Sequence, residues 1–333
     1  MIGRTVMVTG GTGFIGSHLV DSLVAAGMRV RCLVRPASRR SARARHAPPV
    51  EVEPVIGDLL SGQGLERTLE EADVIFHVAG VTKASRVADY YTGNVRATQN
   101  LIAACEKAGT RRLVHVSSLA AAGPSPDGRP LREDSPPHPV SHYGRSKLCA
   151  EEAVRRSGLA ERAVIVRPAV VYGPRDTDVL EVLLWAAGGR VIQLGGRDQQ
   201  VSILHVADLI EGLLLAAAAE HAGGRIYFLA NSEPVSWSEL GYRAASLMGR
   251  PAKTVSVPLW GASLAGALAS FSARLTGTAS LLSWDKMKEA RQRFWICDPA
   301  AARIDLGFRA CTPLSEGLAA TLAWYRERGW LKY

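Results

Sequence analysis

The chain has 333 residues, about twice the usual length of a single domain, so we expect one large α/β domain with an appended lobe, or two domains that share a cleft. Hydrophobic residues make up 47% of the chain and charged residues 21%, proportions that exclude a disordered, collagenous or disulfide-scaffold protein. The formal net charge of +9 raises the question of a nucleic-acid, anionic-membrane or phosphate partner, which the location of the surplus should decide.

Cysteine usage and the N-terminal segment indicate the compartment. Five scattered cysteines without a C-x-x-C pair predict neither a disulfide framework nor a zinc site. Met1 runs almost directly into the strand-like segment Thr5–Thr9, so we expect no signal peptide. The uncharged segment Thr254–Ala273 is broken by Pro258 and diluted by serines, which favours a buried or lid helix over a membrane span. The sequence therefore predicts a cytoplasmic protein with no transmembrane segment.

The first 170 residues alternate short apolar runs with longer amphipathic ones, a pattern typical of parallel strands joined by crossover helices. Because the apolar runs would be buried on both faces, the pattern predicts a Rossmann-type doubly wound parallel sheet of the α/β class rather than a sandwich. The predicted strands are Thr5–Thr9, Val30–Val34, Glu51–Ile56, Val74–Val78, Leu113–Ser117 and Val164–Arg167. The predicted helices between them include Gly13–Ala26, Thr92–Ala108 and Tyr143–Arg156.

Beyond about residue 175 this alternation weakens and helical segments dominate. We expect a smaller, mostly helical C-terminal lobe that closes over the carboxyl edge of the sheet and ends in a helix from Pro313 to about Arg328. The Pro/Gly-rich stretches Gly123–Pro139 and Gly188–Gly196 are predicted loops. The predicted division gives residues 1–175 to the sheet domain, with a strand and helix returning near 200–230, and residues 176–200 and 231–333 to the lobe.

A glycine-rich segment follows the first predicted strand and opens the first predicted helix. Its glycines permit a tight turn and let backbone N–H groups approach a pyrophosphate at the positive end of the helix. The strand before it and the helix after it favour dinucleotide binding over a merely structural turn, with the lobe left to hold the substrate. The predicted cofactor residues here are Gly10, Thr12, Gly13, Phe14, Ile15 and Gly16.

The second predicted strand ends without the acidic residue that would hold the ribose 2′-hydroxyl of NAD. No Asp or Glu occurs between Asp21 and Glu51, and an arginine fork at this place suits the 2′-phosphate of NADP. We therefore predict NADP(H), with NAD(H) as the alternative, and assign the phosphate to Arg35 and secondarily to Arg31. Most of the net charge lies in this stretch, in Arg29, Arg31, Arg35, Arg39, Arg40, Arg43 and Arg45. The surplus thus indicates a local cofactor contact and no nucleic-acid partner.

A serine pair at the end of the fifth predicted strand is followed by a tyrosine and a lysine four residues apart on a helix. Tyr143 and Lys147 share one helical face, so the ammonium can lie near the phenol. A free tyrosine has a pKa of about 10, and a neighbouring cation would lower it toward a range useful for proton transfer. Ser118 would hydrogen-bond the substrate oxygen.

With these three sets of residues the sequence resembles the extended short-chain dehydrogenase/reductase family, and in particular its dihydroflavonol-reductase-like and 3β-hydroxysteroid-dehydrogenase-like members. The resemblance covers nearly the whole chain. Further matching motifs are Gly57-Asp58-Leu59, His77-Val78-Ala79-Gly80, Asn94, Arg167-Pro168-Ala169-Val170-Val171-Tyr172-Gly173-Pro174 and His205-Val206-Ala207-Asp208-Leu209.

The resemblance implies roles for individual residues. Tyr143 would be the acid–base residue, Lys147 would hold the nicotinamide ribose and lower the tyrosine pKa, and Ser118 would bind the reacting oxygen. Asn94 would support a helix kink and a water relay, or would simply satisfy buried backbone. The cofactor contacts that it implies outside the glycine segment are Asp58 and Leu59 at the adenine, Ala79, Tyr143, Lys147, and the backbone around Pro168 and Val171 at the carboxamide.

Departures from the family's patterns narrow the reaction. Leu119-Ala120-Ala121 follows Ser118, where dehydratases carry an acidic pair, so we do not expect elimination of water. Val201-Ser202 stands where sugar-nucleotide epimerases often carry an Arg-Asp pair, which weakens a diphosphosugar substrate. The resemblance implies an NADP(H)-dependent oxidoreductase acting on a carbonyl or alcohol of a bulky, possibly apolar substrate. An epimerase with tightly bound nucleotide and a non-catalytic NADP-sensing protein remain the alternatives.

Topology gives weaker indications about substrate and partners. Lys83 and Ser85 should face the cleft, and Arg175 and Trp185 should lie where the chain passes over the nicotinamide. His18, His115 and His205 lack ligand partners, so no metal is expected. The family resemblance implies a homodimer through the helices near 92–108 and 143–156. Apolar residues of the lobe that could roof a pocket, or form its core or a dimer contact, are Val257, Leu259, Trp260, Leu264, Leu268, Phe271, Leu275 and Leu281.

Overall fold

A computed structural model describes residues 4–35, 51–261 and 284–333. Its strands are β1 (Thr5–Thr9), β2 (Arg29–Val34), β3 (Glu53–Ile56), β4 (Val74–His77), β5 (Arg112–Val116), β6 (Ala163–Pro168), β7 (Val170–Tyr172), β8 (Arg190–Leu194), β9 (Gln200–Val201), β10 (Ile203–His205), β11 (Ile226–Leu229), β12 (Val235–Ser236), β13 (Lys253–Val257) and β14 (Phe294–Trp295). Its helices are α1 (Phe14–Ala25), α2 (Leu65–Leu69), α3 (Val87–Tyr90), α4 (Ala97–Lys107), α5 (Leu119–Ala122), α6 (His142–Arg155), α7 (Leu180–Ala187), α8 (Val206–Ala218), α9 (Trp237–Leu247), α10 (Trp284–Ala290), α11 (Ala300–Asp305) and α12 (Leu314–Glu327).

A seven-stranded parallel sheet forms the centre, in the order β11-β6-β5-β4-β1-β2-β3. The order reverses between β1 and β4, so the carboxyl ends of these two strands flank the crevice in which open α/β sheets bind ligands. The predicted Rossmann-type sheet is therefore confirmed.

Alternating side chains of the strands bury both faces of the sheet. In β1, Val6 and Val8 pack in the cluster that α1 and α8 cover, whereas Met7 packs in the opposite cluster with residues of α2, α4 and α6. All five residues of β1 are buried, as expected of a central parallel strand between two helical layers.

The C-terminal lobe has its own core between α7, α9 and α12, and it contains more strand than predicted. The predicted loop Gly188–Gly196 is wrong, because β8 runs through it and pairs in parallel with β13. The start of the predicted helix Thr254–Ala273 is likewise part of β13, and residues 262–273 lie outside the described residues. In both cases tertiary pairing overrides a weak local signal. Across the described ranges, no helix is long and apolar enough to cross a bilayer.

Candidate active site

The glycine turn after β1 packs directly against the end of β4. Gly10 has a φ of +76°, and a Cβ built on it would lie 2.7 Å from the Cα of Ala79. A Cβ on Gly16 would lie 2.1 Å from the Gly10 carbonyl oxygen, so α1 approaches the turn as closely as only glycine allows. The sequence thus brings Gly10, Gly16 and Ala79 together on the floor of the crevice.

The first turn of α1 offers unoccupied backbone donors. Gly13 begins the helix without a side-chain cap, and the first turn carries no acidic residue. An uncapped N-terminus with its partial positive charge fits the pyrophosphate of a dinucleotide. The predicted cofactor residues Thr12, Phe14 and Ile15 lie at this turn.

A chain of hydrogen bonds links the glycine turn to the segment before α4. The Ala79 N–H donates to Thr9 Oγ1 (3.3 Å), which lies 2.8 Å from His77 Nδ1. His77 Nε2 lies 2.9 Å from Thr98 Oγ1, and the Thr98 hydroxyl donates to the Asn94 carbonyl oxygen at 2.6 Å. Burial lowers the pKa of His77 to about 3, so its ring is neutral. Because the Thr98 proton is already engaged, His77 Nε2 must donate and Nδ1 must accept.

Asn94 lies in a π-helical turn, Tyr91–Arg96, that begins the helix predicted at Thr92–Ala108. Its Oδ1 accepts the Val81 N–H at 2.7 Å, and its Nδ2 donates to the Val81 carbonyl (3.0 Å) and to Ser146 Oγ (2.8 Å). The side chain is buried and holds the backbone after β4 against α6. The structure thus contains the helix irregularity and also the contact with buried backbone that the resemblance implied.

Ser118, Tyr143 and Lys147 converge where β5 ends. Ser118 begins α5, accepts the Ala120 N–H at 3.1 Å, and lies near enough to the Tyr143 phenol for its hydroxyl to lower the pKa of that tyrosine. Tyr143 and Lys147 lie on α6 one turn apart. Lys147 is buried, and its Nζ donates to the Val116 carbonyl at 2.7 Å. A Cβ on Gly80 would lie 3.7 Å from that Nζ, so the ammonium borders the crevice beside the end of β4.

The ionisation of Tyr143 differs from the sequence expectation. Burial raises the pKa of Tyr143 above its ordinary value, and the Lys286 ammonium and the Ser118 hydroxyl lower it only in part. Lys147 is held at the Val116 carbonyl, and burial lowers the pKa of this lysine to about 8. The expected lowering of the tyrosine pKa by Lys147 is therefore wrong for the chain alone, because desolvation of the phenol is the larger effect.

The predicted 57–59 turn directly follows β3. Asp58 accepts the Leu60 N–H at 2.9 Å, and Asn100 Nδ2 donates to the carbonyl of Leu59 at 2.7 Å, so α4 anchors this loop. The carbonyl of Leu60 also accepts from Asn100, at 3.0 Å.

The two arginines assigned to the 2′-phosphate are placed differently. Arg31 donates to the Glu70 carbonyl at 2.7 Å and pairs with Glu53 at 3.3 Å, near the start of β2. Its assignment is corrected, because these partners hold it away from the carboxyl end of the strand. Arg35 follows β2 and is exposed. Arg39, Arg40, Arg43 and Arg45 lie outside the described residues.

The two residues predicted at the carboxamide, Pro168 and Val171, lie at the end of β6 and in β7, and two of the predicted substrate contacts precede α3. Pro168 ends β6, and Val171 lies in β7 opposite Leu204 of β10, so the chain leaves the main sheet at this point. Lys83 forms an ion pair with Asp178, and Ser85 is half-buried in the segment before α3.

The other two substrate candidates have contacts or surroundings outside the Ser118, Tyr143 and Lys147 cluster. Arg175 has a φ of +72° and pairs with Asp21 on α1 at 2.7 Å. Trp185 is 47% exposed on α7. The guanidinium is thus turned to α1 and the indole to solvent in the free chain, and the assignment of both residues as substrate contacts stays a prediction.

The three histidines considered for metal binding have other partners or surroundings. His18 Nε2 lies 2.8 Å from the Pro174 carbonyl, and His205 Nδ1 accepts the Ala207 N–H at 3.3 Å. Burial lowers the pKa of His115, which is neutral in the core. Within the part of the chain that the structure describes, no three metal-ligating side chains come together.

Two features of the site escaped the sequence analysis. Glu151 lies one turn beyond Lys147 and makes a buried bidentate ion pair with Arg167, at 2.9 and 2.6 Å. Its spacing of four from Lys147 could have placed it beside that lysine, but no local pattern indicates Arg167 as its partner. Helix α10 carries Asp285 and Lys286 to the start of α6, and no local pattern connects positions so far apart.

Comparisons with known proteins agree with this geometry. The model of the family described as "NAD dependent epimerase/dehydratase family" matches residues 6–230. A ceramide reductase from Caulobacter vibrioides is 33% identical over 326 residues, covering 98% of this chain and 96% of the relative. A UDP-glucose 4-epimerase from Azospirillum brasilense is 34% identical over 247 residues, covering 66% and 70% of the two chains. The solved structure of MoeE5 in complex with UDP-glucose and NAD superposes with a TM-score of 0.77 at 29% identity, covering 97% of this chain and 99% of that one.

Proposed function

The chain belongs to the NAD dependent epimerase/dehydratase family and is an NAD(P)-dependent oxidoreductase of the extended short-chain dehydrogenase/reductase type, and we propose that it interconverts a carbonyl and an alcohol on a bulky, apolar substrate with NADP(H). The observation that carries the proposal is the convergence of Ser118, the Tyr143 phenol and the buried Lys147 ammonium beside the glycine turn. A relative named for acting on ceramide, a bulky and apolar lipid, supports the substrate class.

In this proposal each side chain has a distinct task. The Ser118 hydroxyl holds the substrate oxygen, and Tyr143 exchanges a proton with that same oxygen. Lys147 holds the ribose of the cofactor from the floor of the crevice, and Asn94 fixes the backbone after β4 that borders it. The nicotinamide, when bound, supplies or accepts the hydride. Lys83 and Ser85 remain the proposed substrate contacts.

Two apolar segments support simple oxidoreduction over the sugar-nucleotide chemistries. The residues of α5 after Ser118 are buried and uncharged, so no carboxylate stands there to eliminate water. At the place of the epimerase Arg-Asp pair, Val201 is buried and Ser202 Oγ accepts the Cys297 N–H at 3.1 Å. The first segment therefore lacks a carboxylate for dehydration, and the second lacks a charged residue that could bind a diphosphate.

Nucleotide depletion tests the proposal. The purified protein is mixed with free NADPH or NADP⁺ and a panel of ketones and alcohols, flavonoid-like and steroid-like compounds, acyl-chain lipids and nucleotide sugars. We expect stoichiometric turnover of free nucleotide with an apolar carbonyl compound. The alternative is an epimerase, the activity for which the Azospirillum relative is named. An epimerase would carry bound nucleotide through purification and would convert a sugar nucleotide without net consumption of NADPH or NADP⁺.

The cofactor preference is tested at the end of β2. We propose that Arg35 binds the 2′-phosphate, so Arg35→Asp should weaken NADPH binding about 10- to 100-fold and NADH binding far less, as expected for loss of hydrogen bonds to a charged group. Arg31→Met is the matched control, because Glu53 and Glu70 already hold that arginine. Dissociation constants from nucleotide fluorescence check this, and equal losses for both nucleotides would refute the assignment.

We also propose a homodimer through α4 and α6. The two helices border an open groove of about 540 Å³ that includes the side chains of Ile102, Ala103 and Ala153. A long charged side chain in place of the small Ala103 would fill the apolar part of this groove and keep two copies from packing, so Ala103→Arg is expected to convert a dimer to a monomer. Light scattering after size exclusion measures the mass. Ala319→Arg, on an exposed position of α12, should leave it unchanged, and a dimeric Ala103→Arg protein would contradict this interface.

The thiols support the proposed cytoplasmic location. All five cysteines are free, and Cys149 and Cys311 are exposed. Exposed unpaired thiols are typical of a reducing compartment.

A further inference from the structure

Helix α10 of the C-terminal lobe docks onto the start of the catalytic helix α6. Both carboxylate oxygens of Asp285 accept the His142 N–H at 2.9 Å, and Oδ2 also accepts the Tyr143 N–H at 3.2 Å. The Ser141 hydroxyl donates to Glu289 Oε1 at 2.5 Å. Carboxylates bind free N–H groups at a helix N-terminus favourably, so these bonds fix α10 to the backbone that carries Tyr143.

This docking places a cation on the ring of Tyr143. The Nζ of Lys286 lies 4.8 Å from the ring centroid, within the range of a cation–π contact. Its side chain is 24% exposed and pairs with Glu289 at 2.9 Å. The tyrosine is thus approached by Lys286 from the lobe, while Lys147 lies one helical turn away on the sheet side.

We propose that Lys286 is a positioning residue for the reaction, which stabilises the phenolate of Tyr143 through the docked helix α10. The inference rests on the proposed function, in which Tyr143 exchanges the proton. The acid–base tuning predicted for Lys147 is thereby assigned in large part to a residue of the lobe, and it depends on α10 being docked.

The charges around Tyr143 agree with this assignment. Burial raises the pKa of Tyr143, Lys286 is the strongest opposing influence, and Ser118 also lowers that pKa. Glu289 and Asp178 raise it.

Among the described residues, two further groups lie near the phenol and near Lys286. The ring of Tyr90 from α3 lies 6.3 Å from that of Tyr143, and Asp178 is itself paired with Lys83. Burial by itself would lower the pKa of Lys286, but the Glu289 carboxylate, the ionised form of Tyr143 and the Asp178 carboxylate together raise that pKa above its ordinary value, so the lysine stays charged through the neutral range.

The test is an alkaline titration of Tyr143 in the full chain with NADP⁺ added. Tyrosinate absorbance is recorded for each protein, and the same titration of its Tyr143→Phe counterpart is subtracted. Lys286→Met should raise the titration midpoint by about one pH unit, since an opposite charge at this distance favours the charged form. Lys286→Arg should restore it. Lys288→Met, which removes a lysine that pairs with Asp285 at 3.8 Å, is the matched control and should leave the midpoint unchanged.

The outcomes separate this inference from the proposed function. An unchanged midpoint in Lys286→Met would overturn it, as would an equal rise in Lys286→Met and Lys288→Met, which would indicate a general loosening of α10. Lys286→Gln gives a second neutral replacement if the methionine variant does not fold. Because the titration needs no turnover, a protein that shows the shift but reduces no carbonyl would refute the function and leave the role of Lys286 intact.

Discussion

Replacing Tyr143 by phenylalanine is expected to lower kcat/KM about 10²- to 10⁴-fold, the usual contribution of a positioned general acid or base. The change removes one hydroxyl, whose pKa the nearby Ser118 hydroxyl lowers, and leaves the ring available for its contacts with Tyr90 and Lys286. The glycine turn and the start of α1 do not involve this hydroxyl, so nucleotide affinity should fall far less than kcat/KM. Steady-state rates with the substrate found in the depletion panel, together with a nucleotide titration, measure the two effects separately.

A neighbouring tyrosine supplies the control. Tyr91 lies in the π-helical turn with its ring 6.3 Å from that of His142, so Tyr91→Phe removes a hydroxyl from the same region without touching Ser118. It should retain activity. If Tyr143→Phe turned over as fast as the unaltered chain, general acid–base catalysis by this residue would be excluded. A protein that binds nucleotide identically with and without the hydroxyl, and reduces nothing in the panel, would be a nucleotide sensor.

Local patterns in the sequence were sufficient for the sheet and for the floor of the crevice. Strand β1 is predicted with the bounds that the structure gives, because its uninterrupted apolar run can only be buried on both faces. Gly10 and Gly16 are also recognisable from the sequence, because backbone contacts closer than a Cβ permits require glycine at these positions. Ser118 and Tyr143 follow from their places at a strand end and a helix start.

Features that depend on contacts between distant segments were not predictable in this way. Glu53 holds Arg31, and Asp21 holds Arg175, through partners that the linear pattern does not identify. The strand β8 forms because β13 lies beside it, although its sequence is bounded by glycines typical of loops. Lys286 reaches Tyr143 only because α10 docks on α6. A single sequence contains no signal that pairs these positions.

The buried ion pair between Arg167 and Glu151 should dominate the stability of the region beneath the active site. The two side chains are 4% and 1% exposed, and the Ser117 hydroxyl also donates to Glu151. Arg167→Met would leave the carboxylate buried without its cation, which is expected to lower the free energy of unfolding by about 3–5 kcal/mol. Urea denaturation measures this loss as a lower transition midpoint with an unchanged m-value.

The double variant decides whether the cost comes from the unpaired charge or from lost packing. In Arg167→Met with Glu151→Gln neither member of the ion pair is charged, so the free energy of unfolding should recover most of the loss, whereas purely steric damage would persist. Arg167 also lies 5.6 Å from the ring of Phe228, a contact that methionine retains in part. In the single variant the folded state would favour a protonated Glu151 while the unfolded state ionises freely, so its stability should fall as the pH rises above the unfolded carboxyl pKa of about 4.3. The free energy of unfolding of the single variant should therefore be closer to that of the unaltered protein in mildly acidic buffer than in mildly alkaline buffer. A difference in the free energy of unfolding that does not depend on pH would show that the carboxylate is solvated or is paired with another cation.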